Sequence, residues 1–404
     1  MFKKRLAILV SVIISAAAVL AGCASDSGAE IEKTVNSSVS VQASTDVITE
    51  TSVQTSELFT ERDLEQTADT DKAVSIAVSD GQTIGITEAG VYIISGSAKN
   101  CTIKVNADSD AKVQLVLDGM SITNDSFPAI YVLSADKCFI TTTDSENSLS
   151  VTGSFTSDGD TNTDAVIFSK DDLVFNGTGT LKIESAQGNG ISGKDDIKFT
   201  GGSYEITSKL DGIEAKDQIL ISGGSFNISS QKDGLHCEND EDNTLGIIYI
   251  SDGTFSISAA SDAIQANTSV TVNGGTFELT AAEGIESTYV QINGGSLSIT
   301  ASDDGINAGN KNNSGTTPTV EINGGDIKIV MGQGDTDGVD ANGNIIINGG
   351  TIDVYTSGSS FDYDGTAEYN GGTILINGSQ VDSIPQSMMG GGGPGGMKGN
   401  MRGF

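Results

Sequence analysis

Between residues 189 and 377 the chain repeats one short pattern of apolar and polar positions. Asp211 to Cys237 shows it whole: DGIEAKDQILISGGSFNISSQKDGLHC, an Asp-Gly start, three alternating segments and the next Asp-Gly start. GIEA, QILIS and SFNIS each have period two, which puts successive side chains on opposite faces of an extended strand. Lys-Asp and Gly-Gly pairs separate them, and such pairs supply turns. Starts fall at Asn189, Asp211, Asp233, Asp262, Glu283, Asp304 and Asp337, and a Gly pair or variant follows near 201, 223, 252, 274, 294, 324 and 349. Start to Gly pair measures 12, 12, 19, 12, 11, 20 and 12 residues, and the return to the next start 10, 10, 10, 9, 10 and 13. A unit of 21 to 22 residues therefore carries additions at the same point of two units.

Three strands and three turns in so few residues exclude a propeller blade, which needs about 40, and the frame of a leucine-rich repeat is absent. A three-sided parallel β-helix remains, with coils stacked about 4.8 Å apart. It predicts one inward ladder of Ile213, Leu235, Ile264, Ile285, Ile306 and Val339, and another of Phe226, Phe255 and Phe277. From residue 101 to 380 this allows roughly 12 or 13 coils in a rod of about 60 Å. VQLVLDGMSIT and AIYVLSADKCFITTT read as earlier, less regular coils.

The flanks differ in pattern. Residues 57–100 read as an N-terminal cap, with IGITEAGVYIISG alternating around a Glu88-Ala89-Gly90 turn. Residues 24–56 have no periodicity and read as a Ser/Thr-rich tether with a reach of about 30 to 35 Å. Lys3, Lys4 and Arg5 precede an apolar run from Leu6 to Leu20, which is short for a membrane span. Leu20-Ala21-Gly22-Cys23 is similar to the bacterial lipobox, so residues 1–23 are expected to direct export and to leave a lipidated Cys23 on the extracellular face of the cell membrane. Residues 381–404, rich in Gly and Met, read as a disordered tail.

Composition narrows the partners. The 404 residues hold 21 Lys+Arg against 54 Asp+Glu, a net charge of -33. Nucleic acid is excluded as a partner, and membrane contact is left to the lipid alone, because the phosphate term would be repulsive. Three cysteines follow Cys23. Cys138 falls in register with Leu173 and Ile219, and Cys237 with Ala215, which makes both small buried hydrophobes; a Cys101 disulfide is the weaker reading of the third.

Two columns of side chains carry candidate chemistry. The residue after each inward aliphatic points outward, giving Glu214, His236, Gln265, Glu286 and Asn307, with Asp340 beyond. ENDEDNT (Glu238 to Thr244) and GNKNNSGTTP (Gly309 to Pro318) leave the same edge three coils apart, about 14 Å, and are expected to wall a groove for one polysaccharide chain over that column. The second column is the phrase-initial acid. Asp before Gly makes an Asx-type turn and lets the glycine take positive φ, which is a structural reason for it. Yet unit charges stacked about 4.8 Å apart repel by nearly 1 kcal/mol even in water, so the column invites a cation. Oxygen ligands suit Ca²⁺, and the richest stretch is Asp303, Asp304, Asn307, Asp335, Asp337 and Asp340. Asp158, Asp160, Asn162 and Asp164 are spaced like EF-hand ligands but lack that loop's Gly and Glu.

Catalysis has little support. From Asp233 to Gly396 the basic side chains are His236, Lys311 and Lys328, so an arginine base is missing from the repeat, and the many carboxylates make a hydrolytic pair undiscriminating. His236 reads as a member of its column.

FTERDLEQ, ITEAGVYIISG, DAKVQLVLDGMSI and the repeated DGIxA...GG phrases resemble the bacterial, mainly clostridial, β-helical carbohydrate-binding family over residues 57 to 380. The resemblance implies a right-handed single-stranded parallel β-helix like pectate lyases in shape, carrying Ca²⁺ and binding cellulose and polygalacturonate without established catalysis. Asp303 to Asn307 is similar to the Ca²⁺ loop of one β-helical lyase family, with Asn307 in place of its last Asp. Two other readings stay open: an adhesive β-solenoid with a protein partner, and a cryptic polysaccharide lyase or hydrolase.

Overall fold

The computed structural model describes residues 58–385 except 312–314 and 335. Its strands stack as a parallel β-helix in two sheets. Twelve strands, from Thr83–Ile86 to Ser359–Tyr363, form the side that carries the Asp-Gly phrases, called here the Asp-Gly face. The other sheet wraps the remaining two sides. The long strand Lys112–Asn124 joins them, its first half pairing with Lys137–Thr142 and its second with Glu146–Val151.

Both inward ladders form. Ile213, Leu235, Ile264, Ile285, Ile306 and Val339 lie in one register and are fully buried. The rings of Phe226 and Phe255 stack at 4.8 Å and 2°, and those of Phe255 and Phe277 at 4.6 Å and 3°. Coil spacing equals ring-stacking distance, so one aromatic per coil fills the core without a gap. Cys138 lies opposite Leu173 and Cys237 opposite Ala215; these and Cys101 are buried free thiols.

The two glycine positions do different work. The second Gly of each pair has positive φ, 118° at Gly224 and 102° at Gly275, where a side chain would strain the turn. The glycine of the Asp-Gly phrase does not take the positive φ expected of it. A Cβ on Gly305 would lie 2.4 Å from the Gly338 carbonyl oxygen, so the requirement is close approach of the next coil. Before the Gly pair, Asn273, Asn293, Asn323, Asn348 and Asn370 form a further ladder, Nδ2 of each after Asn273 donating to the preceding Oδ1 at 2.7 to 2.8 Å.

The ends correct two boundaries. Coils begin at Val74, inside the expected cap, because Val74–Ala77 pairs with Gly90–Lys99 and Thr83–Ile86 with Thr102–Asn106, all parallel. The preceding strap, residues 58–66, lies along the flank of the rod and not over its end. Its one helical turn, Glu61–Leu64, is held by a capping box between Thr60 and Asp63. Phe59 packs on Leu220 and Tyr249, Arg62 lies 4.5 Å over the Phe139 ring, and Gln66 Nε2 donates to the Thr200 carbonyl at 3.1 Å. Asp63 is buried against Lys137 at 2.9 Å and Lys198 at 3.8 Å. At the other end Thr373–Ile376 pairs antiparallel with Ser379–Val381 through a turn at Asn377 and Gly378, and Ile384 is buried. Order therefore passes the expected boundary at 380, and the hairpin blunts the last sheet edge. Cys23, the tether and most of the tail lie outside the described residues.

Candidate functional site

Register alone assembles the outward column on the Asp-Gly face. Glu214, His236, Gln265, Glu286, Asn307 and Asp340 are successive pairing partners, and Asp362 continues the line. Ser192 precedes them. Side chains on one face of a parallel ladder have no choice but to stack at coil spacing, so the column is a rigid row of polar groups.

Much of the row is bonded within itself. Glu214 accepts from Asn189 Nδ2 at 2.8 Å and Ser192 Oγ at 2.9 Å. His236 is 7% exposed, with Nδ1 at 3.2 Å from Asp211 Oδ2 and Nε2 at 3.4 Å from Glu238. Burial works against its charge, but the Asp211 contact and charge outweigh that and raise its pKa; burial likewise works to raise Asp211, which His236 and Lys232 hold low. Glu286 is 4% exposed, ion-paired with Lys311 and accepting from Asn307 Nδ2 at 3.4 Å.

The insertions leave the edge as expected, after Cys237 and after Ala308, with the coils of Gln265 and Glu286 between. Neither simply stands up as a wall. Asn239 Nδ2 donates to Asp217 Oδ1 at 2.7 Å, and Lys311 folds back over Glu286 while its backbone N–H donates to Thr288 Oγ1 at 3.0 Å. The floor of the expected groove is thus partly roofed by Lys311.

The phrase-initial acids bond from coil to coil. Oδ1 of Asn189, Asp211, Asp233 and Asp304 accepts the backbone N–H of Asp211, Asp233, Asp262 and Asp337 respectively, at 2.9 to 3.1 Å. One oxygen of each of the three aspartates is committed to the fold and the other is left to its neighbours. Burial first, and then neighbouring carboxylates, push Asp262 up to about 7, Glu283 to about 8, Asp304 to about 6 and Asp340 to about 7. These are the marks of half-buried negative charge stacked on itself.

Of the expected Ca²⁺ ligands, Asp337 and Asp340 come together with Asp362, each offering an oxygen within 4.8 Å of the others. Asp304 and Asn307 sit one coil before them. Asp303 is exposed and outside that group, and Asp335 lies outside the described residues. Asp362 escaped the sequence reading because its coil starts at Ser359 and not at an acid; the recurring aromatic-Asp alternation of SFDYDG was the available signal. The EF-hand-like set does not converge, since Asp158 is paired with Lys104 at 3.1 Å and Asn162 donates to Asp164.

The chain is thus a parallel β-helix whose outward row from Ser192 to Asp362 is polar and partly acidic. Comparison with known proteins gives the family. The model of the family described as carbohydrate-binding domain-containing protein matches residues 80–336 and 283–383, and the chain belongs to that family. A relative of the same description from Acetivibrio thermocellus is 32% identical over 139 residues, 34% of this chain and 48% of the relative. The match thus spans about half the length of that curated relative. Among solved structures, the polysaccharide lyase-like protein from C. thermocellum, as its gadolinium derivative, aligns with a TM-score of 0.47 and 28% identity over 60% of this chain and 97% of that one.

Proposed function

We propose that this chain is a non-catalytic, surface-tethered lipoprotein that holds plant-type polysaccharide, cellulose or polygalacturonate, along its Asp-Gly face. The observation that carries the reading is the outward row from Ser192 to Asp362 in a chain of this family. A glycan chain repeats along its length as the coils do, so each coil offers the same kind of polar contact to each successive sugar. With Glu286 taken by Lys311 and His236 by Asp211, the described basic groups beside the row are already paired, which favours holding over turnover.

For an acidic glycan the face itself is repulsive, and Ca²⁺ is the proposed bridge. The donor set fits: oxygen atoms only, three carboxylates in contact, and Asp340 pushed up to about 7 by burial and by Asp304, Asp337 and Asp362. Asp337, Asp340 and Asp362 would hold the ion, which when bound supplies positive charge shared between protein and uronate oxygens. Asp340→Asn with Asp362→Asn is expected to lower polygalacturonate affinity in Ca²⁺ at least tenfold, as excess chelator does in the parent, while leaving cellulose pull-down unchanged. Calorimetry giving equal affinity for the variant would sink the bridge, and product release from polygalacturonate would sink the non-catalytic reading.

The tether rests on Leu20-Ala21-Gly22-Cys23. Cys23→Ser is expected to move the chain from the membrane fraction to the soluble one; unchanged fractionation removes the lipid anchor from the proposal.

A further inference from the structure

The N-terminal third of the Asp-Gly face has a different character from the acidic remainder. Its outward row starts Lys104, Tyr131, Phe168, Ser192. Beside it, at the turn that ends each strand, Lys170, Lys194 and Lys216 follow one another on successive coils, their backbone N–H groups donating to Val132, Ser169 and Gly193. Three stacked lysines are unexpected in a chain of net charge -33. Residues 152–164, a long connection where the next coil uses three residues (186–188), cross this end of the face. Between that loop and the lysines is a cleft of about 420 Å³, lined by Asp160, Thr161, Asn162, Phe168, Lys170 and Lys194. The volume lies within the range of small-ligand sites, roughly 300–1,000 Å³.

The charges in the cleft are only partly satisfied, Lys194 being loosely paired and Lys170 in no ion pair. Lys170 is exposed and in no ion pair among the described residues, although its charge helps to hold Asp158 low behind that of Lys104. Lys194 Nζ reaches Ser192 Oγ at 3.1 Å, stands 3.7 Å from Glu214 and lies 5.7 Å from the Phe168 ring centre. Of the nearby acids, Asp158 is occupied by Lys104 at 3.1 Å, and Asp164 is raised chiefly by burial. Asp160 also lines the cleft, and its charge limits how much negative charge the cleft accepts.

We infer that this cleft is a second glycan subsite, one that takes a carboxylate-bearing sugar residue directly, without a metal ion. It rests on the carbohydrate-binding reading and adds to it a place and a chemistry. Two ammonium groups on adjacent coils, about 4.8 Å apart at the backbone, suit the two oxygens of one carboxylate through charge-assisted hydrogen bonds. Asp160 accepts from sugar hydroxyls, Asn162 and Thr161 both donate and accept, and the buried Phe168 ring makes the floor apolar. A lone sulfate would use the lysines but meet Asp160 with no hydroxyl to offer it. The face is then polar along its length, with fixed cations at one end and carboxylates suited to a bound cation at the other.

The test titrates trigalacturonate, and cellotriose as the neutral control, into the full chain in excess chelator. The expected result is metal-free binding of trigalacturonate that weakens tenfold or more in Lys170→Gln/Lys194→Gln and falls with added salt, with the melting temperature unchanged because Lys170 is exposed and Lys194 partly so. Equal affinity in parent and variant overturns the subsite, as does a parent that binds trigalacturonate only when Ca²⁺ is present; in that second case the wider carbohydrate reading stands. A parent that binds neither polygalacturonate nor cellulose under any condition overturns both.

Discussion

Replacing Asp63 with alanine is expected to cost the fold about 3–5 kcal/mol and to free the strap formed by residues 58–66. The carboxylate is fully buried, accepts the Thr60 backbone N–H at 3.1 Å, and faces Lys137 at 2.9 Å and Lys198 at 3.8 Å. Burial alone would raise its pKa, but the Lys137 bond and the two lysine charges hold it below the ordinary carboxylate range. Its removal leaves two ammonium groups, each side chain 12% exposed, without their bonded counter-charge beneath Phe59 and Phe139, and with only the charges of Asp172 and Asp196 still acting on them. That uncompensated charge, more than the lost bond, is the source of the penalty. Asp63→Asn should lose less, and Lys137→Met added to Asp63→Ala should recover part of the loss. Thermal melts together with amide exchange over residues 137–142 and 197–199 report it; an unchanged melt with exchange still slow would mean that the strap is not latched by charge. The contacts of the strap are spread over coils from Lys137 to Tyr249.

The fold was legible in the sequence because a coil imposes a translation. Ile213, Leu235 and Ile264 must recur at matching positions once Gly212, Gly234 and Ala263 lie close against the next coil, and the period survives insertions because these loop out at a turn. The strap was not legible as a strap. FTERDLEQ carries a capping box that local reading finds, but its partners Lys137, Thr200, Leu220 and Tyr249 are more than 70 residues away, and no periodicity links them. The candidate site was half legible for the same reason. Register gives which outward residues stack, so Glu214 to Asn307 emerged as a column. It does not give what lies over them, and the roofing of Glu286 by Lys311 depends on how one insertion folds back. The lysine row escaped because Lys194-Asp195 and Lys216-Asp217 read as turn chemistry, and only the stacking of those turns makes them a charged surface.

Stability in excess chelator is expected to fall as pH rises from about 5 to 8, a range over which the latch alone would give no change. Asp196 is pushed up to about 7 by burial and by the charges of Asp172 and Asp217, and Asp262 to about 7 by burial and by Asp233 and Glu286. In the unfolded chain both titrate near 3.9. Between those values the folded state keeps protons that the unfolded state has released, so the number bound is larger in the folded state and the slope of unfolding free energy with pH is negative. Their stabilisation is present below about pH 4 and is lost as pH climbs through 7. A tenfold change in proton affinity is worth about 1.4 kcal/mol, so two carboxyls that each hold a proton roughly a thousandfold more tightly in the fold together remove several kcal/mol. Asp63 acts with the opposite sign: held low, it stabilises above about pH 4 and its contribution disappears in acid. The two trends place the optimum on the acidic side of neutrality, between the loss of the latch and the charging of the stacked acids. Melting curves at pH 5 and pH 8 check it, with Asp196→Asn/Asp262→Asn as the comparison, since amides of the same shape carry no proton to lose. A parent protein as stable at pH 8 as at pH 5, or a double variant with the parent's slope, would show that these carboxyls already have their counter-charge from the lysines around them and that the acidic face has no need of a cation to remain folded.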